Sequence, residues 1–107
     1  MTSYDYLSLG ESFEERGKYQ KAERLYLKAL KLKSKEVGDH SEELIPYLYN
    51  LGMVLAALDK AHESIHILGR LITILIKEHG EDHGDVRELR EVIYDLRAEM
   101  SNQVVYA

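Results

Sequence analysis

The sequence predicts an all-α fold: an α-solenoid of antiparallel helix pairs closed by a C-terminal capping helix. Three observations predict it. One proline and seven glycines in 107 residues are too few turn-formers for a chain of many short strands. Apolar residues recur at three- and four-residue spacing in five separate segments, which is the period of a helix face. The chain also matches itself when shifted by 42 residues: Leu9-Gly10 falls on Leu51-Gly52, Lys35-Glu36-Val37-Gly38 on Lys77-Glu78-His79-Gly80, Tyr6 on Leu48, Phe13 on Leu55, Leu25 on Ile67 and Leu30 on Ile72. A repeat of this length marks stacked units that bury their apolar faces against neighbours.

The first helix is expected near residues 4–16, where Tyr6, Leu9, Gly10 and Phe13 share a face and Gly17 ends the pattern. The second, near 19–36, is carried by Ala22, Leu25, Tyr26, Ala29 and Leu30. Gly38 suits the left-handed end that stops it. Ser41 is a suitable N-cap for a third helix near 43–58, and Pro46 is tolerated there because first-turn amides have no intrahelical partner. Leu48, Leu51, Gly52, Leu55 and Leu58 give its face, and Asp59-Lys60 a short turn. Ile65, Leu68, Ile72, Leu75 and Ile76 predict the fourth helix, near 61–79. After a break at Gly80-Glu81-Asp82, Val86, Leu89, Val92, Ile93, Leu96 and Met100 predict a fifth near 84–100, with 101–107 expected as a tail.

The first unit reads Tyr6-x2-Leu9-Gly10-x2-Phe13, then Ala22-x3-Tyr26-x2-Ala29, and this resembles the tetratricopeptide repeat. In that pattern Gly10 lets the two helices of a unit approach, Ala22 sits at the tightest crossing, and Tyr6, Phe13 and Tyr26 fill the space between units. The second unit keeps Leu51-Gly52, puts Leu48, Leu55 and Leu68 at the aromatic positions, and has Ser64 in place of Ala22. The long period and the linkers Gly38-Asp39-His40 and Gly80-Glu81-Asp82-His83 are similar to the kinesin-light-chain type of repeat. The resemblance implies one domain over 1–107: a first repeat at 4–38, a second at 41–80, and a capping helix at 83–100. Ile93-Tyr94 stands where Leu-Gly would allow another close helix, which fits a terminal cap.

Cysteine is absent, which excludes disulfides, thiolate metal sites and cysteine nucleophiles. The start, Met1-Thr2-Ser3-Tyr4-Asp5, has neither the basic nor the apolar stretch of a secretory signal. The longest strongly apolar run, Leu71–Ile76, is interrupted by Thr73 and is far shorter than the roughly 20 residues of a membrane span. A soluble cytoplasmic protein is expected. Net charge is −5, yet residues 16–35 hold eight of the fourteen Lys and Arg against one acid, Glu23, so that segment is +7 and the remainder −12.

The resemblance implies a non-enzymatic interaction module, an adaptor or scaffold that binds a peptide or helix in a groove lined by the first helix of each unit. Its register assigns Tyr4, Leu7, Ser8, Glu11, Glu14 and Glu15 from the first helix to that groove. The third helix contributes Pro46, Tyr49, Asn50, Met53, Ala56 and Ala57, and the fifth Glu88, Glu91, Val92 and Asp95. Tyr49 and Met53 would make an apolar centre between acidic flanks, suited to a protein or peptide that is apolar with basic residues beside it. The alternative for Tyr49 and Met53 is packing against the fifth helix. A basic clamp for a C-terminal carboxylate, as some members carry, is not expected: its positions hold Leu7, Glu11, Asn50, Glu88 and Val92, of which only Asn50 fits.

Three other readings compete. Ile67, Leu71 and Ile74 form a second apolar stripe on helix four, which would drive homodimerisation and an assembly role if helix five left it bare. Lys21, Arg24, Lys28, Lys31 and Lys35 form one stripe on helix two that could meet nucleic acid or another acidic surface. No aromatic interleaves with it on that face for base stacking, so a solvated face is the simpler expectation. His62-Glu63-Ser64-Ile65-His66 matches the H-E-x-x-H zinc-hydrolase pattern. A catalytic zinc needs a third protein ligand and a cleft, and neither is foreseen here. No catalytic residue, metal ligand or cofactor is therefore expected.

Overall fold

The computed structural model describes residues 1–106, with side chains described as far as Asn102. Its helices are α1 (Ser3–Glu15), α2 (Tyr19–Val37), α3 (Ile45–Ala57), α4 (Ala61–His79) and α5 (Gly84–Tyr106), with a 3-10 turn at Glu42–Leu44 leading into α3. No strand occurs among the described residues. Every predicted helix is present within a few residues of its expected bounds. The difference is at the end: α5 continues through residues 101–106, which were expected as a tail. Ser101, Asn102 and Gln103 include no glycine or proline to stop a helix already under way.

Local chemistry fixes the ends. Thr2 and Asp5 form a capping box at α1: the Asp5 amide donates to Thr2 Oγ1 at 3.1 Å, and the Thr2 amide donates to Asp5 Oδ2 at 2.8 Å. Hydrogen bonding from the Thr2 amide first, and then from the Thr2 side chain, holds the Asp5 carboxyl below its ordinary pKa. Ser41 caps the 3-10 turn, accepting from the Glu43 amide, and Pro46 falls in the first turn of α3. Gly38 and Gly80 adopt almost the same backbone, φ/ψ 88/165° and 87/164°, a region open essentially to glycine. The repeat is therefore written in the backbone as well as in the side chains.

α1 packs chiefly on α2 and α3 chiefly on α4, giving two hairpins; α2 joins α3 between them, and α5 lies on α4. At the crossing of each hairpin stands a glycine. A Cβ built on Gly10 would fall 2.5 Å from the ring of Tyr26, and one built on Gly52 would collide with the side chain of Leu68. Tyr26 therefore packs within the first unit, not between units as the pattern implied. Ala22 is fully buried, and so is its counterpart Ser64, whose hydroxyl donates to the Gly52 carbonyl at 2.7 Å. That bond satisfies the one polar group the second hairpin buries in place of a methyl.

The core is continuous through all five helices, from Leu7 through Tyr26, Leu48, Leu51, Leu68 and Leu71 to Val86 and Leu96. Leu71 and Ile74 are buried within the single chain, 1% and 3% exposed. The stripe that was to drive homodimerisation is thus covered, with only Ile67 left partly accessible, and the assembly reading loses its basis. Tyr94, by contrast, is 74% exposed on α5.

Candidate functional site

A groove of about 440 Å³ runs between α1, α3 and α5. Its floor is Leu71 and Leu75 of α4. α1 contributes Leu7 and Glu11; α3 contributes Ile45, Pro46, Tyr49, Asn50 and Met53; α5 contributes Asp85, Glu88, Leu89 and Val92. Helical spacing explains the set: Pro46, Tyr49, Asn50 and Met53 lie three or four residues apart, as do Leu7 with Glu11 and Asp85, Glu88, Leu89 and Val92. Tyr49 is 48% exposed, whereas Met53 is half-buried and also packs on the core. Met53 thus does part of what packing alone would ask of it, and Tyr49 is left free.

The polar lining is one-signed. Glu11, Asp85 and Glu88 are exposed carboxylates, and among the described residues no Lys or Arg lines the groove. Beside it a smaller recess of about 220 Å³ gathers Glu11, Glu14, Glu15, Tyr19, Tyr26 and Asn50. There the Tyr26 hydroxyl donates to Glu14 Oε1 at 2.6 Å. Burial first, and then this bond and the nearby carboxylates, push the Tyr26 phenol well above its ordinary pKa.

The structure brings together Leu7, Glu11, Tyr49, Asn50 and Met53 with Val92, Pro46 and Glu88, as the register implied. It places Glu14 and Glu15 in the neighbouring recess, Glu14 already engaged by Tyr26. It leaves Tyr4, Ser8, Ala56, Ala57, Glu91 and Asp95 outside the lining. At the end of α1, Ser3 faces α3, its hydroxyl accepting from Tyr47 at 3.4 Å, which turns Tyr4 outward to 67% exposure. On α5 the wall ends at Val92, so Asp95 stands a turn beyond it and Glu91 on the adjoining face. Leu71, Leu75, Ile45, Leu89 and Asp85 are groove residues that the sequence did not mark as such. Leu75 and Leu89 read as core, Leu71 as a second stripe on helix four and Ile45 as neither, and only the meeting of α3, α4 and α5 shows that they line a groove.

His62 and His66 are exposed on the outside of α4. Among the described residues no three His, Cys, Asp or Glu side chains gather as a metal site. The basic stripe of α2 is exposed at every position. Here the structure adds rings the sequence did not foresee: Lys28 lies 4.7 Å from the Tyr6 ring centroid, and Arg16 and Lys21 lie 4.6 and 5.5 Å from that of Phe13. These aromatics come from α1, not from α2's own face. Among the described residues no helix is long and apolar enough to cross a membrane.

The architecture defines a class: stacked helical hairpins with close-contact glycines and an open groove on the side of the first helices. The family model of the tetratricopeptide repeat matches residues 3–77, both hairpins of the structure. The chain belongs to the tetratricopeptide repeat family, whose members generally mediate protein–protein interaction. No curated protein matches it significantly.

Proposed function

We propose that this protein is a non-enzymatic adaptor that takes an apolar, basic peptide or helix of a partner protein into the groove between α1, α3 and α5. One observation carries this reading: exposed Tyr49 stands over an apolar floor whose charged margin, Glu11, Asp85 and Glu88, is acidic. An exposed aromatic that keeps few rotamers to lose is an economical anchor, and the surrounding carboxylates select the sign of the ligand. Nothing in the groove resembles a nucleophile–base pair, and the H-E-x-x-H histidines lie on another face.

The test is affinity capture with the intact chain and with a Tyr49→Ala/Met53→Ala variant of unchanged helicity. Partners held by the wild type and lost by the variant, and carrying Lys or Arg beside apolar residues where they bind, support the reading. Capture that is indifferent to both residues refutes it and leaves the fold untouched.

A further inference from the structure

A second cleft, of about 370 Å³, lies on the opposite side of the repeats between α2 and α4. Leu51 and Leu55 of α3 form its floor, and Leu27 and Ile67 its walls. Leu27 is 39% exposed, a large aliphatic side chain facing solvent in the middle of the basic helix. Arg24 and Lys31 flank it one turn to either side, with Lys28 adjacent.

Cations flank this cleft on α2, while its own lining holds Glu23, Glu63, His62 and His66. Glu23, at its edge, is held by Lys60 Nζ at 2.9 and 3.2 Å, so that carboxylate is already neutralised. Among the described residues Lys21, Arg24, Lys28 and Lys31 form no ion pair. The α4 wall carries His62, Glu63 and His66, with Arg70 one turn further on. Glu63 is the sole acid there without an ion-pair partner among the described residues.

We propose that this cleft docks an acidic amphipathic segment of a second partner protein, its apolar side chains on Leu27, Leu51 and Ile67 and its carboxylates on Arg24 and Lys31, which flank Leu27 one turn to either side. A lysine stripe alone would equally suit a phosphate backbone, but Leu27, Leu51, Leu55 and Ile67 in the cleft beside it offer phosphate and sugar nothing to bond. The nearby Tyr6 and Phe13 rings are covered by Lys28, Lys21 and Arg16, not open as platforms for bases. With an acidic groove on one side and, on the other, a cleft flanked by Arg24 and Lys31, the chain would join two partners of opposite charge. The two sites share no lining residue, so each stands or falls alone.

The test is selection of random phage-displayed peptides on the intact protein, followed by titration of synthetic copies of the peptides selected. An apolar class rich in Asp and Glu is expected, bound equally by wild type and by Tyr49→Ala/Met53→Ala. Its affinity should fall about tenfold in Leu27→Ser, and again in Arg24→Glu/Lys31→Glu, with the circular dichroism of both variants unchanged. Failure to select an acidic class, or binding that survives Leu27→Ser, overturns the proposal. So does tight binding of an oligothymidylate that Arg24→Glu/Lys31→Glu abolishes and Leu27→Ser leaves intact, since that would assign the stripe to nucleic acid.

Discussion

The ring of Tyr26 occupies the space that a side chain on Gly10 would need: a Cβ there would lie 2.5 Å from Cε1 and 2.6 Å from Cδ1. Tyr26 is fully buried and tied through its hydroxyl to Glu14, so it cannot swing aside. Gly10→Leu is therefore expected to destabilise by at least the 1–3 kcal/mol or so typical of overpacking, and Gly10→Ala to be costly as well. Gly52→Leu should behave alike against fully buried Leu68. Thermal melts followed by circular dichroism check this, and unchanged midpoints would show that the hairpins are not in such close contact.

Tyr26 also sets an alkaline limit. Its phenol is raised in the folded state, so the stability it gives is fully present below the ordinary tyrosine pKa of 10.0 and is lost progressively as pH rises above that value. In a spectrophotometric titration Tyr26 should ionise only as the chain unfolds. Tyr26→Phe removes the bond to Glu14 and should cost about 1–2 kcal/mol at neutral pH. It should also flatten the decline above pH 10. Ionisation of Tyr26 near its ordinary pKa, with the fold intact, would contradict the assignment.

The turn between the helices of each unit yields predictions of opposite sign. Gly17 has φ +74°, and Asp59, its equivalent in the second unit, is held at φ +60°. An L side chain in that region is strained by roughly 1–2 kcal/mol, less for Asp than for most. Asp59→Gly should stabilise by up to about 1 kcal/mol, and Gly17→Ala should destabilise by about as much. Chemical denaturation of the two variants decides; shifts of equal sign would mean that the turn is not under backbone control.

Most of the fold could be read in the sequence because its signals are local or periodic. Ser41 and Pro46 announce a helix start within a few residues of themselves, Gly38 and Gly80 announce ends, and Leu9-Gly10 with Leu51-Gly52 announces the repeat. What escaped depends on which faces of separate helices meet. Whether Tyr26 lies within or between units turns on the α1–α2 crossing. The Glu23–Lys60 pair spans 37 residues, and Leu71 serves both as core and as groove floor because α1, α3 and α5 meet around it. The groove register was legible at its centre, where α1, α3 and α5 converge. It failed at Tyr4 and Asp95, where Ser3 and the end of the α5 wall determine the margin.

The groove makes a quantitative demand on any ligand that enters it. Tyr49 offers a large exposed apolar surface above Leu71 and Leu75, while Glu11, Asp85 and Glu88 are solvent-exposed charges. Burying the exposed part of an aromatic side chain is worth on the order of 1–2 kcal/mol, whereas an exposed ion pair contributes only about 0–1 kcal/mol. Tyr49→Ala should therefore weaken a basic, apolar peptide roughly tenfold, and Glu11→Gln or Glu88→Gln by less than that. The charges should appear instead in the salt dependence. Raising ionic strength screens Glu11, Asp85 and Glu88 from the ligand's Lys and Arg and slows association, and the Glu11→Gln/Glu88→Gln variant should lose much of that response. Titrations at two salt concentrations separate these contributions. If the carboxylate variants cost more than Tyr49→Ala, the apolar centre does not dominate binding; if neither matters, the ligand lies elsewhere.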